Sequence, residues 1–282
     1  FFNIFVYKQF FIDVIKEILY KFKIDIVRKK TINFDKNFSY SNLNLLETNI
    51  IINYKLSNLI TTNGKRLGST KDPYLYVLKD SFHLIEKKEF TKTFVDKIKL
   101  TIKYPQTAAQ VIGIVRSKKL SLYPEWALVL PWEDISINHN YKTYLIRFIE
   151  KRKKLKKLYK NLKKKDGDKL IYHDFAWESH AEQYINLYKS ISNYGFKKTS
   201  SIPVHLFKYK NLYRLSLSED GNHRVRIAYM LNLKTIPLKI SKIIDLENIK
   251  DWTNVKNGLY TLNEARKIFK NYFNYVGEGK YF

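Results

Sequence analysis

The sequence predicts an α+β fold: a small mixed sheet with packed helices in the C-terminal part, preceded by a mainly helical N-terminal region. Three observations predict it. Apolar residues recur at helical spacing between Pro73 and Leu100. From Trp177 onward the pattern runs helix, strand, strand, glycine turn, helix, strand. The chain also has material for a core, because 45% of its 282 residues are hydrophobic and 16% aromatic, enough for one large domain or two modest ones.

In chain order, residues 1 to 22 are rich in aromatics and Ile, but Lys8, Asp13, Lys16, Glu17 and Lys21 interrupt them. A spanning helix needs roughly 18 continuous apolar residues, so no transmembrane segment is expected here. The stretch reads as a buried helix, with a membrane-surface or partner-binding helix as the alternative. It lacks the basic start and small-residue cleavage site of a secretion signal, and a cytoplasmic protein is expected. Asn63-Gly64 marks the first strong turn, while Gly64-Lys65-Arg66 lacks the upstream glycine and the hydroxyl residue of a P-loop. Tyr74, Val77, Leu78, Phe82 and Ile85, then Phe94 and Ile98, predict two short helices. Residues 107 to 112 are helix-like. Residues 127 to 130, stopped by Pro131, read as a buried strand, with residues 131 to 137 leading off at a sheet edge.

Residues 147 to 165 hold 11 Lys or Arg and a single acid, with Leu155, Leu158, Tyr159 and Leu162 at helical spacing. This is an amphipathic basic helix, ended by Asp166-Gly167-Asp168. Ala181, Tyr184, Ile185, Leu187, Tyr188 and Ile191 form the apolar face of a further helix closed by Gly195. Strands follow at 202 to 207 and 213 to 217, then a helix from 223 to 231 stopped by Asn232, then a strand at 235 to 240.

A formal charge of +26 gives the surface an attraction for phosphates of DNA, RNA, nucleotides or anionic lipid, weakening steeply with salt. An AT-biased codon usage that inflates Lys, Asn, Ile and Tyr explains the same composition. Cysteine is absent, which excludes disulfides, thiolate nucleophiles and Cys-ligated metals and leaves chemistry to His, acids, hydroxyls and Arg.

The turn Asp220-Gly221-Asn222-His223-Arg224 stands where a strand hands over to a helix. N–H groups at a helix start carry partial positive charge, Gly221 lets backbone approach a ligand, and Arg224 can fork onto two phosphate oxygens. His223 can donate to the same anion or exchange a proton near neutral pH, and Asp220 can cap the helix or orient its neighbours. Asp-Gly-Asn is also an ordinary turn. Phosphoryl transfer would add a base and Mg²⁺, for which Glu133, Asp134, Asp174, Glu178, His180 and Glu182 are the candidates to weigh, Glu178 first. Their alternative is a solvated surface. His173, Asp174 and His180 offer metal donors in a spacing that fits no established motif. Trp126, Trp132 and Trp177 either stack on a base or pack the core. On the basic helix, Arg147, Lys151, Lys154 and Lys157 would contact a phosphate backbone or an anionic membrane, or simply face water.

The stretch from Asp220 to Ile240, DGNHRVRIAYMLNLKTIPLKI, resembles the Asp-Gly-x-His-Arg box of the ParB/sulfiredoxin-like superfamily, which includes the ParB-like nuclease domain. Lys189 to Gly195 resembles its helix end, Ser201-Ile202-Pro203-Val204 its central strand, and Trp132 to Ile137 its first strand. The resemblance covers about 125 residues, less than half the chain. It implies a domain over 116–250 with a basic helical insertion at about 141–168, a mainly helical region over 1–115 and a C-terminal extension over 251–282. It also implies a nucleotide (ATP, ADP or CTP) or another phosphorylated small molecule held by Gly221, Asn222, His223 and Arg224. A nucleotide-dependent phosphotransferase or phosphohydrolase follows, with Glu178, His223 and Asp220 as catalytic candidates and Mg²⁺ as a companion. The alternative is a non-enzymatic or nuclease-type nucleic-acid-binding protein using the same domain and the basic helix. Asn222 stands where sulfiredoxins carry their catalytic Cys, which argues against sulfinic acid reduction. Partition proteins have an Arg-rich box and a downstream helix-turn-helix domain for which the stretch after Asp245 is too short, so chromosome segregation is not expected.

Overall fold

The computed structural model describes residues 51–56, 59–62, 67, 72–102, 106–160, 169–196, 201–210, 212–218 and 220–273. The expected helix at 1–22, the turn at Asn63-Gly64 and the end of the basic helix at 161–168 lie outside the described residues. What is described is α+β.

Strand β1 (Ile51–Lys55) comes first. Helix α1 (Pro73–Ser81) starts because Asp72 Oδ1 accepts from the Leu75 N–H at 3.2 Å and Pro73 needs no donor in the first turn. Helix α2 (Phe90–Thr101) buries Phe90, Phe94, Val95 and Ile98, the stripe that periodicity indicated. Thr107 and Gln110 form a reciprocal cap on the short α3 (Ala108–Val111), and α4 (Lys118–Ser121) is a single turn capped by Ser117. The basic segment is not one rod: α5 (Ile137–Glu150) ends, and α6 (Lys153–Lys160) begins beyond a corner at residues 151 and 152. Next come α7 (Asp174–Tyr194), β2 (Ile202–Tyr209), β3 (Leu212–Leu217), α8 (Asn222–Met230), β4 (Thr235–Asp245), α9 (Thr253–Lys256) and α10 (Leu262–Phe273).

The sheet order is β1-β4-β2-β3. β2 and β3 are an antiparallel hairpin, β2 and β4 run parallel with an irregularity at Val204/His205, and β1 lies antiparallel on β4 with Ile51 opposite Lys239. Beyond β3, the Ile60 N–H donates to Leu215 O at 3.1 Å and Ile60 O accepts from Leu217 N–H at 2.8 Å. Residues 51–55 and Ile60 thus lie at opposite outer margins of the sheet, which leaves fewer edge groups to template other chains.

One face of the sheet, including Ile202, Val204, Leu215 and Leu238, packs against Val225 and Ala228 of α8. Ile227 on another side of α8 enters a second core with α1, α2 and α7. On the opposite face, Phe207 and Ile244 meet Trp132, Trp252 and Phe269, and four aromatic rings contact Trp132 edge-on at 5.0 to 6.3 Å.

Residues 127 to 137 form no strand, against expectation. Their backbone is satisfied by side chains instead of a ladder. Asn254 Nδ2 is shared among the carbonyls of Leu130, Glu133 and Ile135 at 3.0 to 3.1 Å, the Tyr260 hydroxyl donates to Val129 O at 2.5 Å, and Lys242 Nζ donates to Trp132 O at 2.7 Å. Among the described residues no helix is long and apolar enough to cross a membrane.

Candidate functional site

Helix α8 opens at Gly221, whose φ of +97° lies in the left-handed region. A Cβ built there would stand 2.4 Å from Ile202 Cγ2, so space as well as torsion restricts this position to glycine. The tight approach of the turn to β2 leaves a solvent-open cleft of about 520 Å³. Its walls are Gln183, Asn186 and Leu187 of α7, Pro203 of β2, and Asp220, Gly221, His223 and Arg224 of the turn.

Four of the expected residues therefore meet at one cleft: Asp220, Gly221, His223 and Arg224. Asn222 is not in its wall; its Oδ1 accepts from Thr62 Oγ1 at 3.4 Å. Asp220 does not cap α8, which begins on Gly221 without a side-chain cap. Its carboxylate is the one acid in the cleft lining among the described residues.

His223 has a partner that spacing did not reveal. Its Nε2 lies 2.7 Å from Nδ1 of His180 on α7, and the two rings meet edge to edge, centres 4.9 Å apart with 14° between their planes. Burial, with Arg226 and Arg152 adding positive potential, lowers the His223 pKa to about 3. Burial, then His223, Arg152 and Arg226, push His180 well below its ordinary value as well. Both imidazoles are neutral at pH 7, one donating its N–H to the other. The proton exchange near neutral pH expected of His223 is thus displaced to acid pH by its surroundings.

Arg226, one helical turn beyond Asn222, is buried rather than ligand-facing. Its Nε and Nη2 donate to the two oxygens of Asp72 at 3.0 and 3.2 Å, Nη1 reaches the Tyr184 hydroxyl at 3.5 Å, and its guanidinium lies 4.9 Å from the Tyr74 ring centre. Burial opposes this cation, but Asp72 holds its pKa above the usual value. Burial raises the Tyr184 hydroxyl to about 12. At the α5–α6 corner, Arg152 donates to Phe148 O at 2.9 Å and covers the Phe148 ring at 3.7 Å.

The other candidates lie elsewhere. Glu178 pairs with Lys154 of α6 at 2.9 Å and does not line the cleft; nor does Glu182. His173 caps α7 by accepting from the Phe175 N–H at 3.2 Å, and Asp174 pairs with Lys99 at 2.8 Å. Among the described residues no three His, Cys, Asp or Glu side chains come together to hold a metal. Glu133 accepts from the Leu130 N–H at 2.7 Å; Asp134 binds Lys242, which lowers its pKa, and Thr253. Trp132 and Trp177 are core residues, whereas Trp126 is half-buried. Arg147, Lys151, Lys154 and Lys157 are all exposed.

Comparison with known protein families, curated proteins and solved structures finds no match to this chain. The site's chemistry consequently rests on its own geometry: a helix mouth, an arginine, a neutral imidazole, two amides and one carboxylate around an open cleft. Sequence reasoning missed Gln183 and Asn186, read Leu187 only as part of an apolar helix face, and weighed His180 as a base or metal donor rather than as the partner of His223. The α7 periodicity offered a partial signal, since residues 180, 183 and 187 share a helical stripe.

Proposed function

We propose that the cleft at the start of α8 binds a phosphate-bearing ligand, a nucleotide such as ATP, ADP or CTP, in a cytoplasmic protein. The observation that carries this reading is the convergence of Gly221, His223 and Arg224 on one open cleft beside the helix N-terminus. Arg224 supplies the positive charge for phosphate oxygens, the opening amides of α8 supply N–H donors, and neutral His223 supplies position rather than charge. Gln183 and Asn186 offer amides to the rest of the ligand. The resemblance of residues 220 to 240 to the ParB/sulfiredoxin-like box supports the same assignment.

In an enzyme of this kind, a nucleotide-dependent phosphotransferase or phosphohydrolase, Asp220 is better placed than Glu178 to act as base or to share Mg²⁺ with phosphate oxygens, because it lines the cleft. Titration calorimetry with ATP, ADP and CTP tests the reading. Arg224→Ala should weaken binding by about tenfold to a hundredfold, the loss of a charge-assisted contact, and Glu178→Gln should leave affinity unchanged. Equal affinity of Arg224→Ala and wild type would remove the proposal.

A second reading, nucleic-acid binding, is favoured by one observation. The exposed cations Arg147, Lys151, Lys154 and Lys157 lie along α5, the corner and α6, and residues 137–160 hold nine Lys or Arg and one acid.

A further inference from the structure

We infer that residues 115–122, the turn after α3 together with the single-turn α4, dock on an anionic lipid surface; the inference is independent of the α8 cleft. Val115 is 67% exposed and Leu122 80%, so both apolar side chains stand in water. The segment between them is held firmly. The Ser117 N–H donates to Ile114 O at 2.9 Å, and Ser117 Oγ accepts from the Leu120 N–H at 3.3 Å. Leu120 is fully buried with Ala108, Ala109 and Ile112, which anchors one side of α4 on the core. Lys119 Nζ donates to Gly258 O at 2.7 Å and ties the other end to the C-terminal part of the chain. Val115, Arg116, Lys118, Ser121 and Leu122 are thereby presented outward.

The charge around these two side chains has one sign. Between Asp96 and Glu125 the sequence holds six Lys or Arg and no acid. Among the described residues, Arg116 and Lys118 pair with no carboxylate. Apolar side chains projecting between cations match the edge of a bilayer, where the first enter the acyl boundary and the second meet anionic headgroups. Other partners fit less well. A stable protein contact buries about 800 Å² on each side, whereas this tip offers two protruding apolar side chains on eight residues. Nucleic acid would engage the cations and leave Val115 and Leu122 in water.

The chain has no cysteine, so Leu122→Cys gives a unique attachment point for an environment-sensitive fluorophore. Vesicles of phosphatidylserine and phosphatidylcholine should brighten and blue-shift that label, and phosphatidylcholine alone should not. The same label at Lys157→Cys on α6 should keep its aqueous emission. In cosedimentation of unlabelled protein, Val115→Ala combined with Leu122→Ala should weaken binding by about tenfold or more. Arg116→Ala combined with Lys118→Ala should weaken it by about tenfold and flatten its salt dependence. Circular dichroism confirms that each variant folds. Failure of the wild type to bind anionic vesicles would overturn the proposal. So would binding that leaves the Leu122→Cys label unchanged, or that brightens the Lys157→Cys label instead, because cations elsewhere would then hold the lipid. Self-association without lipid that Leu122→Ala abolishes would give the tip to a second copy of the chain and overturn it equally.

Discussion

Gly221 and His223 show how much a single position can carry. At Gly221 the backbone torsion and the neighbouring Ile202 together fix the residue type, and the Asp-Gly-Asn run made that turn legible from sequence. The imidazole pair was not legible, because His180 and His223 are 43 residues apart and belong to different elements. Their environment makes stability depend on pH. His223 protonates at about 3 when folded but near 6.5 in an open chain, so the unfolded state binds more protons between those values. The contribution is complete above about pH 6.5 and is lost as the pH falls toward 3. His205, lowered to about 4 chiefly by burial, acts in the same direction. Glu125, raised to about 7 chiefly by burial, acts in the opposite direction over the same window. Urea unfolding between about pH 5 and 6.5 should therefore show stability rising with pH by up to about 1.4 kcal/mol per unit for each imidazole involved, less the same amount for this one carboxyl. His180→Asn should flatten that slope. A slope indistinguishable from zero in the wild type would show that the imidazoles are solvated.

Between elements, the decisive contact is the Asp72–Arg226 pair, which ties the start of α1 to α8 and so braces the helix whose mouth forms the cleft. Asp72→Ala removes the cap of α1 and strands a buried guanidinium, at a cost of about 3 to 5 kcal/mol in urea unfolding. A loss below about 1 kcal/mol would mean that Arg226 finds water or another acceptor. Periodicity located α1, α2, α7 and α8 because each buries a continuous stripe against the core. It misread residues 127 to 130, whose apolar run looks like a strand. Their carbonyls are instead claimed by Asn254 and Tyr260, more than 100 residues away, and no local pattern reports such partners.

Across the molecule, the sheet draws β1 from residues 51–55 and its other strands from residues 202–245, a pairing of high sequence separation that local reading could not supply. The C-terminal helices close the opposite face through Trp252 and Phe269, where aromatic rings serve as core. The net charge of +26 and its concentration in residues 147 to 165 were legible at once, but the break of that segment into two helices at residues 151 and 152 needed coordinates. The central claim concerns the first turn of α8, and the most direct measurement is an NMR titration of labelled protein with ADP and with inorganic pyrophosphate. The account predicts saturable shifts of the Asn222, His223 and Arg224 backbone amides with both ligands, lost in Arg224→Ala. Saturable binding that leaves those three amides unmoved would contradict it.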